Sequence, residues 1–303
     1  MTKTYFSGLL VPAITPFTAD LSVDLDAYVD VCKWLLANGA DGLAVMGTTS
    51  EANSLSLFER RKALETLVEA GIPAEKLMPG VGTSAFNDTI DLTRHALELG
   101  CGGVLSLPPF YYKPVSSDGL YAWYARVIDT IASDDLGLWL YHIPQISGVG
   151  IPHDLIERLI ADYPDTVLGI KDSSGDWDNL EAMLKRFKGF RIFPSSEGTI
   201  VKSGALGGAG CISASGNINP HGIRALLDAL GTPGADALQA KVGAVRSTYA
   251  KYPLIPAAKT MLARGLGDAR LEAVRPPLTA LSPEQADTLH GELKAVGWSL
   301  PAR

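Results

Sequence analysis

The chain has 303 residues, of which 47% are apolar and 19% are charged, and its formal net charge is -7. This length and composition suit one large soluble domain with enough apolar residues for a sizeable core. No run of Lys and Arg is dense enough to form a nucleic-acid or membrane-binding surface, so we expect neither kind of partner.

The cysteines and the N-terminus indicate the compartment. Cys32, Cys101 and Cys211 are far apart and odd in number, which fits reduced thiols better than a disulfide framework or a Cys-x-x-Cys metal site. The first residues lack the apolar core of a signal peptide, and no apolar run is long enough to span a bilayer. We therefore expect a cytoplasmic protein.

Strand and helix patterns alternate eight times along most of the chain. Short apolar runs that end at glycine or proline indicate strands, and apolar residues three or four positions apart indicate helices. The predicted strands are residues 8–17, 42–46, 77–81, 103–107, 137–142, 166–171, 190–194 and 210–213. The predicted helices are residues 24–38, 58–70, 87–99, 120–132, 153–162, 180–187, 197–206 and 220–230.

This alternation with short connections requires parallel strands, and eight units at this length predict a closed (β/α)8 TIM barrel. A doubly wound open sheet is the alternative, but Thr15-Pro16-Phe17 is not the Gly-rich phosphate loop that such a sheet normally has after its first strand. From Gly234 onward the pattern is helical, at residues 235–249, 255–264 and 283–296. We expect residues 1–233 to form the barrel with the active site, and residues 234–303 to form a helical appendage packed on it in one structural unit.

A lone lysine, Lys171, ends one of the apolar strands. Alternate side chains of a strand share a face, so Val167, Gly169 and Lys171 should all point into the barrel. Burial there removes hydration and favours a neutral amine, which can attack a ketone to form a Schiff base. Gly169 should leave space for a small substrate. The alternative is a lysine whose stem packs while its head reaches solvent.

The other strand ends are rich in hydroxyl groups and poor in histidine and carboxylate. Active sites of such barrels lie at these ends, so the composition argues against a metal hydrolase and against a glycosidase. Tyr141 should point inward beside Lys171 and could relay a proton with a hydroxyl such as that of Thr49, although a packed aromatic is the alternative. The turn Gly47-Thr48-Thr49 could bind a carboxylate through its N–H groups and hydroxyls. His142 should face away from the interior.

Five motifs occur in one order along the chain: Gly47-Thr-Thr-Ser-Glu51, Pro109-Phe-Tyr-Tyr-Lys-Pro114, Tyr141-His-Ile-Pro144, Gly169-Ile-Lys-Asp-Ser-Ser-Gly175 and Val274-Arg-Pro-Pro-Leu278. As a set they resemble the dihydrodipicolinate synthase/N-acetylneuraminate lyase family, over about residues 8–297. The resemblance implies a class I aldolase that binds pyruvate or another 2-oxo acid as a Schiff base, with an aldehyde as its second substrate. It also implies no metal or organic cofactor, and a homotetramer built as a dimer of dimers.

The resemblance assigns roles to individual residues. Lys171 matches the Schiff-base lysine, and Tyr141 matches the acid–base tyrosine. Thr48 and Thr49 match the positions that bind the substrate carboxylate and relay a proton, and Gly47 belongs to the same substrate-binding motif.

Two further matches and three departures lie outside this set. Tyr111 matches a tyrosine that family members lend to a neighbouring subunit's site, and Ile212 matches a position that lines the pocket through its main chain. True dihydrodipicolinate synthases carry an arginine shortly after the Tyr-x-x-Pro motif to hold a substrate carboxylate. Here Ile146 stands at that position and cannot make such a pair. Ser50 and His142 also replace the family's usual glycine and asparagine.

The sequence therefore predicts a lyase that makes or cleaves a C–C bond next to a pyruvate unit. The segment around Ile146 is more similar to neuraminate lyase and to the 2-keto-3-deoxy-acid and 4-hydroxy-2-oxoglutarate aldolases. Three alternatives remain: the dihydrodipicolinate synthase of lysine biosynthesis, a dehydratase that uses the same imine, and a non-catalytic barrel that binds an oxo acid. The joint presence of Lys171 and Tyr141 counts against the last of these.

Overall fold

The computed structural model describes residues 3–301. Within this range the strands are β1 (Gly8–Val11), β2 (Gly42–Leu43), β3 (Val104–Ser106), β4 (Leu138–His142), β5 (Val167–Asp172), β6 (Arg191–Pro194) and β7 (Gly210–Ile212). The α-helices are α1 (Leu25–Ala37), α2 (Leu57–Glu69), α3 (Phe86–Glu98), α4 (Ser117–Ile131), α5 (Pro144–Ser147), α6 (His153–Asp162), α7 (Trp177–Arg186), α8 (Ile200–Ala205), α9 (Pro220–Asp228), α10 (Ala235–Tyr249), α11 (Leu254–Leu266) and α12 (Pro283–Ala295).

The strands pair in parallel as two sheets, β2-β1-β7 and β3-β4-β5-β6. The predicted strand at residues 77–81 joins them on one side. The N–H of Met78 donates to the carbonyl of Leu43, and the N–H of Val81 donates to that of Leu105, both at 2.9 Å. Pro79 cannot donate, so this segment makes isolated bridges rather than a continuous ladder.

The ring closes on the other side between β6 and β7. There the N–H of Ala209 donates to the carbonyl of Ile192 at 2.9 Å. Counting residues 77–81, eight parallel segments surround one interior, and the predicted TIM barrel with helical C-terminal residues is confirmed. The interior holds one apolar cluster: Phe6, Leu10, Ala44, Met78, Leu105, Trp139, Tyr141, Ile143, Leu168, Phe193 and Ile212.

Of the predicted boundaries that differ from the observed ones, two have clear local reasons. Strand β1 ends at Val11 rather than at residue 17, because Pro12 has no N–H with which to continue the ladder. The predicted helix at residues 197–206 begins as the 3-10 helix Glu197–Thr199 and becomes α-helical only at Ile200.

The predicted alternation of side chains is wrong at the start of β5. The register between β4 and β5 shifts between Leu138 and Trp139, so that Val167 and Gly169 pair with consecutive residues of β4. Val167 therefore packs in the outer cluster beneath the helices, while Leu168 packs inside the barrel. Beyond the shift, side chains alternate as predicted.

The prediction that Gly169 leaves space for a substrate is also wrong. A Cβ atom at this position would collide with the indole of Trp139 and the carbonyl oxygen of Arg191. Trp139 in turn packs against Phe6 and Phe193, with ring centroids 5.8 Å and 5.6 Å away. Aromatic rings therefore fill the barrel below the lysine, and any substrate must lie above them.

The C-terminal helices pack directly on the barrel. The indole N–H of Trp298 donates to the carbonyl of Ile218 at 2.7 Å, and the Lys259 ammonium on α11 forms a fully buried ion pair with Glu51 beside β2. We propose that residues 1–233 form the barrel and residues 234–303 the appendage of one structural unit. Residues 1–2 and 302–303 lie outside the described part of the chain. Within residues 3–301, no helix is long and apolar enough to cross a membrane.

Glu59 links the start of α2 to the segment after α11 and gives a test of acid stability. Its carboxylate accepts a hydrogen bond from the Ser56 N–H at 2.8 Å and bonds from the Arg275 guanidinium, one of them at 3.2 Å. Arg275 lowers the pKa of Glu59 from 4.5 to about 2. Because the pKa in the folded state is the lower one, this stabilisation is present above pH 4.5 and is lost as the pH falls toward 2.

We therefore expect Glu59→Gln to be less stable than the wild type at neutral pH, with a difference that shrinks on acidification. Urea unfolding of both proteins at about pH 7, about pH 5 and about pH 3 measures this difference. A difference in unfolding free energy that stays constant over the series would contradict the role given to the Arg275 pair.

Candidate active site

A cavity of about 320 Å³ opens at the C-terminal ends of the strands. Five predicted site residues line it: Thr48, Thr49, Tyr141, Lys171 and Ile212. Gly47 instead lines a smaller neighbouring cavity of about 20 Å³, which shares Thr48 and Tyr141 with the larger one.

Lys171 and Tyr141 form the centre of the cavity. They are paired residues on the neighbouring strands β5 and β4, and their exposed fractions are 5% and 3%. The Lys171 Nζ donates to the Tyr141 Oη at 3.3 Å and lies 4.3 Å from the centroid of the tyrosine ring. The lysine head therefore stays inside the cavity, and the alternative of a lysine that reaches solvent does not hold.

The hydroxyl beside Tyr141 belongs to Thr48 rather than to Thr49. The Thr48 Oγ1 lies 3.2 Å from the Tyr141 Oη, at hydrogen-bond distance, and Thr49 lines the cavity next to it. Strand alternation does not predict which threonine points inward, because the turn leaves the strand conformation. Met46 and Glu51, on either side of it, have left-handed φ angles of 54° and 57°.

A buried ion pair anchors this turn to the appendage. The Glu51 carboxylate pairs with the Lys259 ammonium, both side chains being fully buried, and accepts the Arg275 N–H at 3.1 Å. The ammonium also donates to the Ala273 carbonyl at 2.6 Å. Burial lowers the pKa of Lys259 to about 8, although Glu51 favours the charged form. Lys259 was not predicted as part of the site, although a lysine inside a helix as apolar as α11 can indicate a buried charge.

Arg246 on α10 was not predicted either, and it brings a second basic side chain to the cavity. Its Nε lies 3.8 Å from the buried Glu197 carboxylate, and its Nη1 donates to the Ser215 Oγ at 3.4 Å. Helix α10 lies outside the strand ends, where the site residues were expected. The available signal was an arginine on the helical stripe that buries Val242 and Tyr249.

Tyr111 lies away from this chain's own cavity. Its exposed fraction is 73%, and its ring packs edge-on against that of Tyr112, with centroids 5.3 Å apart. Its predicted role in a neighbouring subunit's site stays a prediction. Ile146 lines the cavity rim and is 65% exposed.

His142 and Asp172 bond to backbone and side-chain groups outside the cavity. The His142 Nδ1 accepts the Ile151 N–H at 2.9 Å, and burial lowers the pKa of this histidine. Asp172 accepts the Ser174 N–H at 2.9 Å and the Asn179 side-chain amide at 3.2 Å. Both contribute to packing around the strand ends.

Among residues 3–301, no cluster of three or more His, Cys, Asp or Glu side chains is arranged to hold a metal ion.

A TIM barrel that buries a lysine against a tyrosine at its catalytic end has the architecture of a class I aldolase-type lyase. The sequence profile of the dihydrodipicolinate synthetase family matches residues 5–296, and the chain belongs to this family. The predicted family and enzyme class are thereby confirmed.

Similar proteins agree with this assignment over nearly the whole chain. An uncharacterised DapA-like lyase of Chloroflexus aurantiacus is 34% identical over 95% of this chain and 96% of its own length. A 4-hydroxy-tetrahydrodipicolinate synthase of Rhizobium meliloti is 31% identical over 96% and 99%. The crystal structure of dihydrodipicolinate synthase from Agrobacterium tumefaciens superimposes with a TM-score of 0.89 at 33% identity, over 95% of this chain and 99% of that one. A prophage protein of the same family from E. coli K12, solved in complex with pyruvate, gives 0.88 at 25% identity, over 97% and 100%.

Proposed function

We propose that this chain is a pyruvate-dependent lyase in which Lys171 forms a Schiff base with the C2 carbonyl of pyruvate or another 2-oxo acid. The observation that carries the proposal is the buried Lys171 Nζ, 3.3 Å from the Tyr141 Oη inside a cavity of about 320 Å³. The pyruvate complex of the E. coli relative supports the same substrate here.

The proposed reaction uses only the lysine amine, water and proton transfers. The neutral Lys171 amine adds to C2, and loss of water leaves an imine. The Tyr141 oxygen, which has given its proton to the departing water, takes a proton from C3 and so leaves an enamine. The enamine C3 attacks the aldehyde carbon, and the Tyr141 hydroxyl protonates the new alkoxide. Water then hydrolyses the imine and releases the 4-hydroxy-2-oxo acid and the free amine. Cleavage runs the same steps in reverse.

The neighbouring residues support these steps. Thr48 is proposed to exchange the proton with Tyr141, since the two oxygens lie 3.2 Å apart. Thr49, with the backbone N–H groups of the turn that begins at Gly47, is proposed to bind the carboxylate, and Ile212 to line the pocket. The protonated imine serves as the electron sink, so we propose that no metal or organic cofactor takes part.

Assembly and location are part of the proposal. We propose a cytoplasmic homotetramer, a dimer of dimers, in which the exposed Tyr111 of one subunit completes the site of its neighbour. A large exposed tyrosine beside a second one, Tyr112, fits an interface contact better than a free surface.

The aldehyde partner is expected to be short. A cavity of about 320 Å³ is near the lower end of ligand pockets, which span roughly 300–1,000 Å³. This favours a small 4-hydroxy-2-oxo acid over neuraminate. A 4-hydroxy-tetrahydrodipicolinate synthase is the second candidate, because several relatives carry that name, but Ile146 counts against it. A dehydratase that acts through the same imine is a further alternative. A non-catalytic barrel would not require Lys171 to lie beside Tyr141.

Borohydride trapping tests the proposal. Incubation of the folded protein with pyruvate and borohydride, followed by peptide mass spectrometry, should place a reduced pyruvyl adduct on Lys171. Lys259 is an internal control, because it is buried against Glu51 and should stay unmodified. The absence of any adduct on Lys171 in folded protein would overturn the imine mechanism.

A further inference from the structure

We propose that Arg246 binds a distal carboxylate of the second substrate, so that the chain acts on carboxylate-bearing aldehydes and the corresponding 4-hydroxy-2-oxo diacids. This inference rests on the proposed function and names the substrate class for the same cavity. Arg246, the residue proposed to bind the carboxylate, lies on α10, outside the barrel strands and their loops.

The cavity lacks a cation at the position where related synthases hold a carboxylate. Ile146 stands there, and an apolar side chain offers no hydrogen bond to an anion. Arg246 enters the same cavity from the appendage and is the second basic residue among its described lining residues, after Lys171. No described lining residue is acidic. The electrostatic requirement for an anionic substrate is therefore met from another element of the fold.

The guanidinium is held in place before any substrate binds. Glu197, fully buried, lies 3.8 Å from the Arg246 Nε, and the Ser215 Oγ accepts from Nη1 at 3.4 Å. Ser215 in turn donates to the other Glu197 oxygen, so the carboxylate cannot move freely toward the cavity. Among the described residues, no group accepts a hydrogen bond from Nη2. The two N–H groups of Nη2 are thus available to an anion.

The surroundings strengthen such a contact. Ile143, Leu254 and Ile255 line the same cavity, and apolar walls limit the water that would screen a charge pair. The side chain of Arg246 is 20% exposed, so binding a carboxylate would remove little additional solvent from it. Ser173 and Ser195 lie on the lining as well and can bond to a hydroxyl of the adduct.

Two matched pairs of aldehydes test the inference. With saturating pyruvate, kcat/KM would be measured for glyoxylate against acetaldehyde and for succinate semialdehyde against butanal, each pair differing by a carboxylate in place of a methyl group. We expect the wild type to prefer the carboxylate-bearing aldehyde in at least one pair, by about 10- to 100-fold, the scale of a hydrogen-bonded charge. Equal rates within both pairs would overturn the inference.

Variants then assign the preference to Arg246. We expect Arg246→Met to reduce the preference to within about threefold, mostly through KM for the aldehyde, and Arg246→Lys to retain part of it because the charge remains but the planar fork is lost. The double variant Arg246→Met/Glu197→Gln leaves no buried carboxylate without its cation, and it should show the same loss of preference in folded protein. A preference that survives both Met-containing variants would overturn the inference.

Borohydride trapping distinguishes a failure of the proposed imine mechanism from a failure of the proposed role of Arg246. We expect all Arg246 variants to form the pyruvyl adduct on Lys171 as readily as the wild type, since Arg246 acts on the second substrate. If the wild type itself forms no adduct, the proposed function fails and the inference fails with it. If the adduct forms but the aldehyde preference is absent, only the inference fails.

Discussion

Replacement of Lys171 by methionine is expected to abolish the trapped pyruvyl adduct and to lower turnover by about 10⁴-fold or more, the scale seen when a covalent nucleophile is deleted. The Lys171 amine holds the substrate covalently from imine formation until hydrolysis, and no other lysine lines the cavity among the described residues. Methionine keeps the length of the buried side chain, and no carboxylate among residues 3–301 pairs with Lys171, whose described contacts are with Tyr141. The variant should therefore fold with a melting temperature close to that of the wild type.

The matched control is Tyr141→Phe, which removes only the hydroxyl beside the lysine. We expect it to lower turnover by about 10²- to 10⁴-fold, the usual contribution of a positioned acid–base group. The adduct on Lys171 should still form, because the amine that attacks pyruvate is present and loss of the hydroxyl only slows proton transfer. Turnover by Lys171→Met above about 10% of the wild-type rate would contradict the imine mechanism, and an unchanged kcat in Tyr141→Phe would contradict the acid–base role of Tyr141.

Replacement of Lys259 by methionine is expected to destabilise the fold by about 3–5 kcal/mol, because it leaves the Glu51 carboxylate buried without its cation. The pair is fully buried, and it joins α11 to the turn that carries Thr48 and Thr49. The remaining described bond to the Glu51 carboxylate comes from the Arg275 N–H. We also expect a raised KM for pyruvate, since a displaced turn would bind the substrate carboxylate less well.

The double variant Glu51→Gln/Lys259→Met is the control for this prediction. It removes both charges while the side-chain amide oxygen that replaces the Glu51 carboxylate can still accept the Arg275 N–H, so it should be more stable than Lys259→Met alone. Urea unfolding of the wild type, the two single variants and the double variant gives the coupling energy between the two sites. A coupling energy of about zero would show that the pair does not stabilise the turn.

The fold follows closely from the sequence because barrel strands and helices are local patterns. Buried parallel strands require continuous apolar runs, and outer helices require a 3.6-residue period, so eight alternations predict the barrel without knowledge of any contact. The errors lie where the backbone departs from those patterns. Pro12 ends β1 early, and the shift at Leu138 places Leu168 inside the barrel in place of Val167.

The family, the barrel and the residues at the strand ends could all be predicted from the sequence, since order along a strand fixes which residues reach the catalytic end. Lys171 and Tyr141 could be predicted together for this reason. Three-dimensional contacts were needed to show which threonine contacts Tyr141, and to show that Lys259 and Arg246 of the appendage reach the turn and the cavity. Those contacts join segments far apart in the chain, and the packing angle of a helix on a barrel is not encoded in any local period.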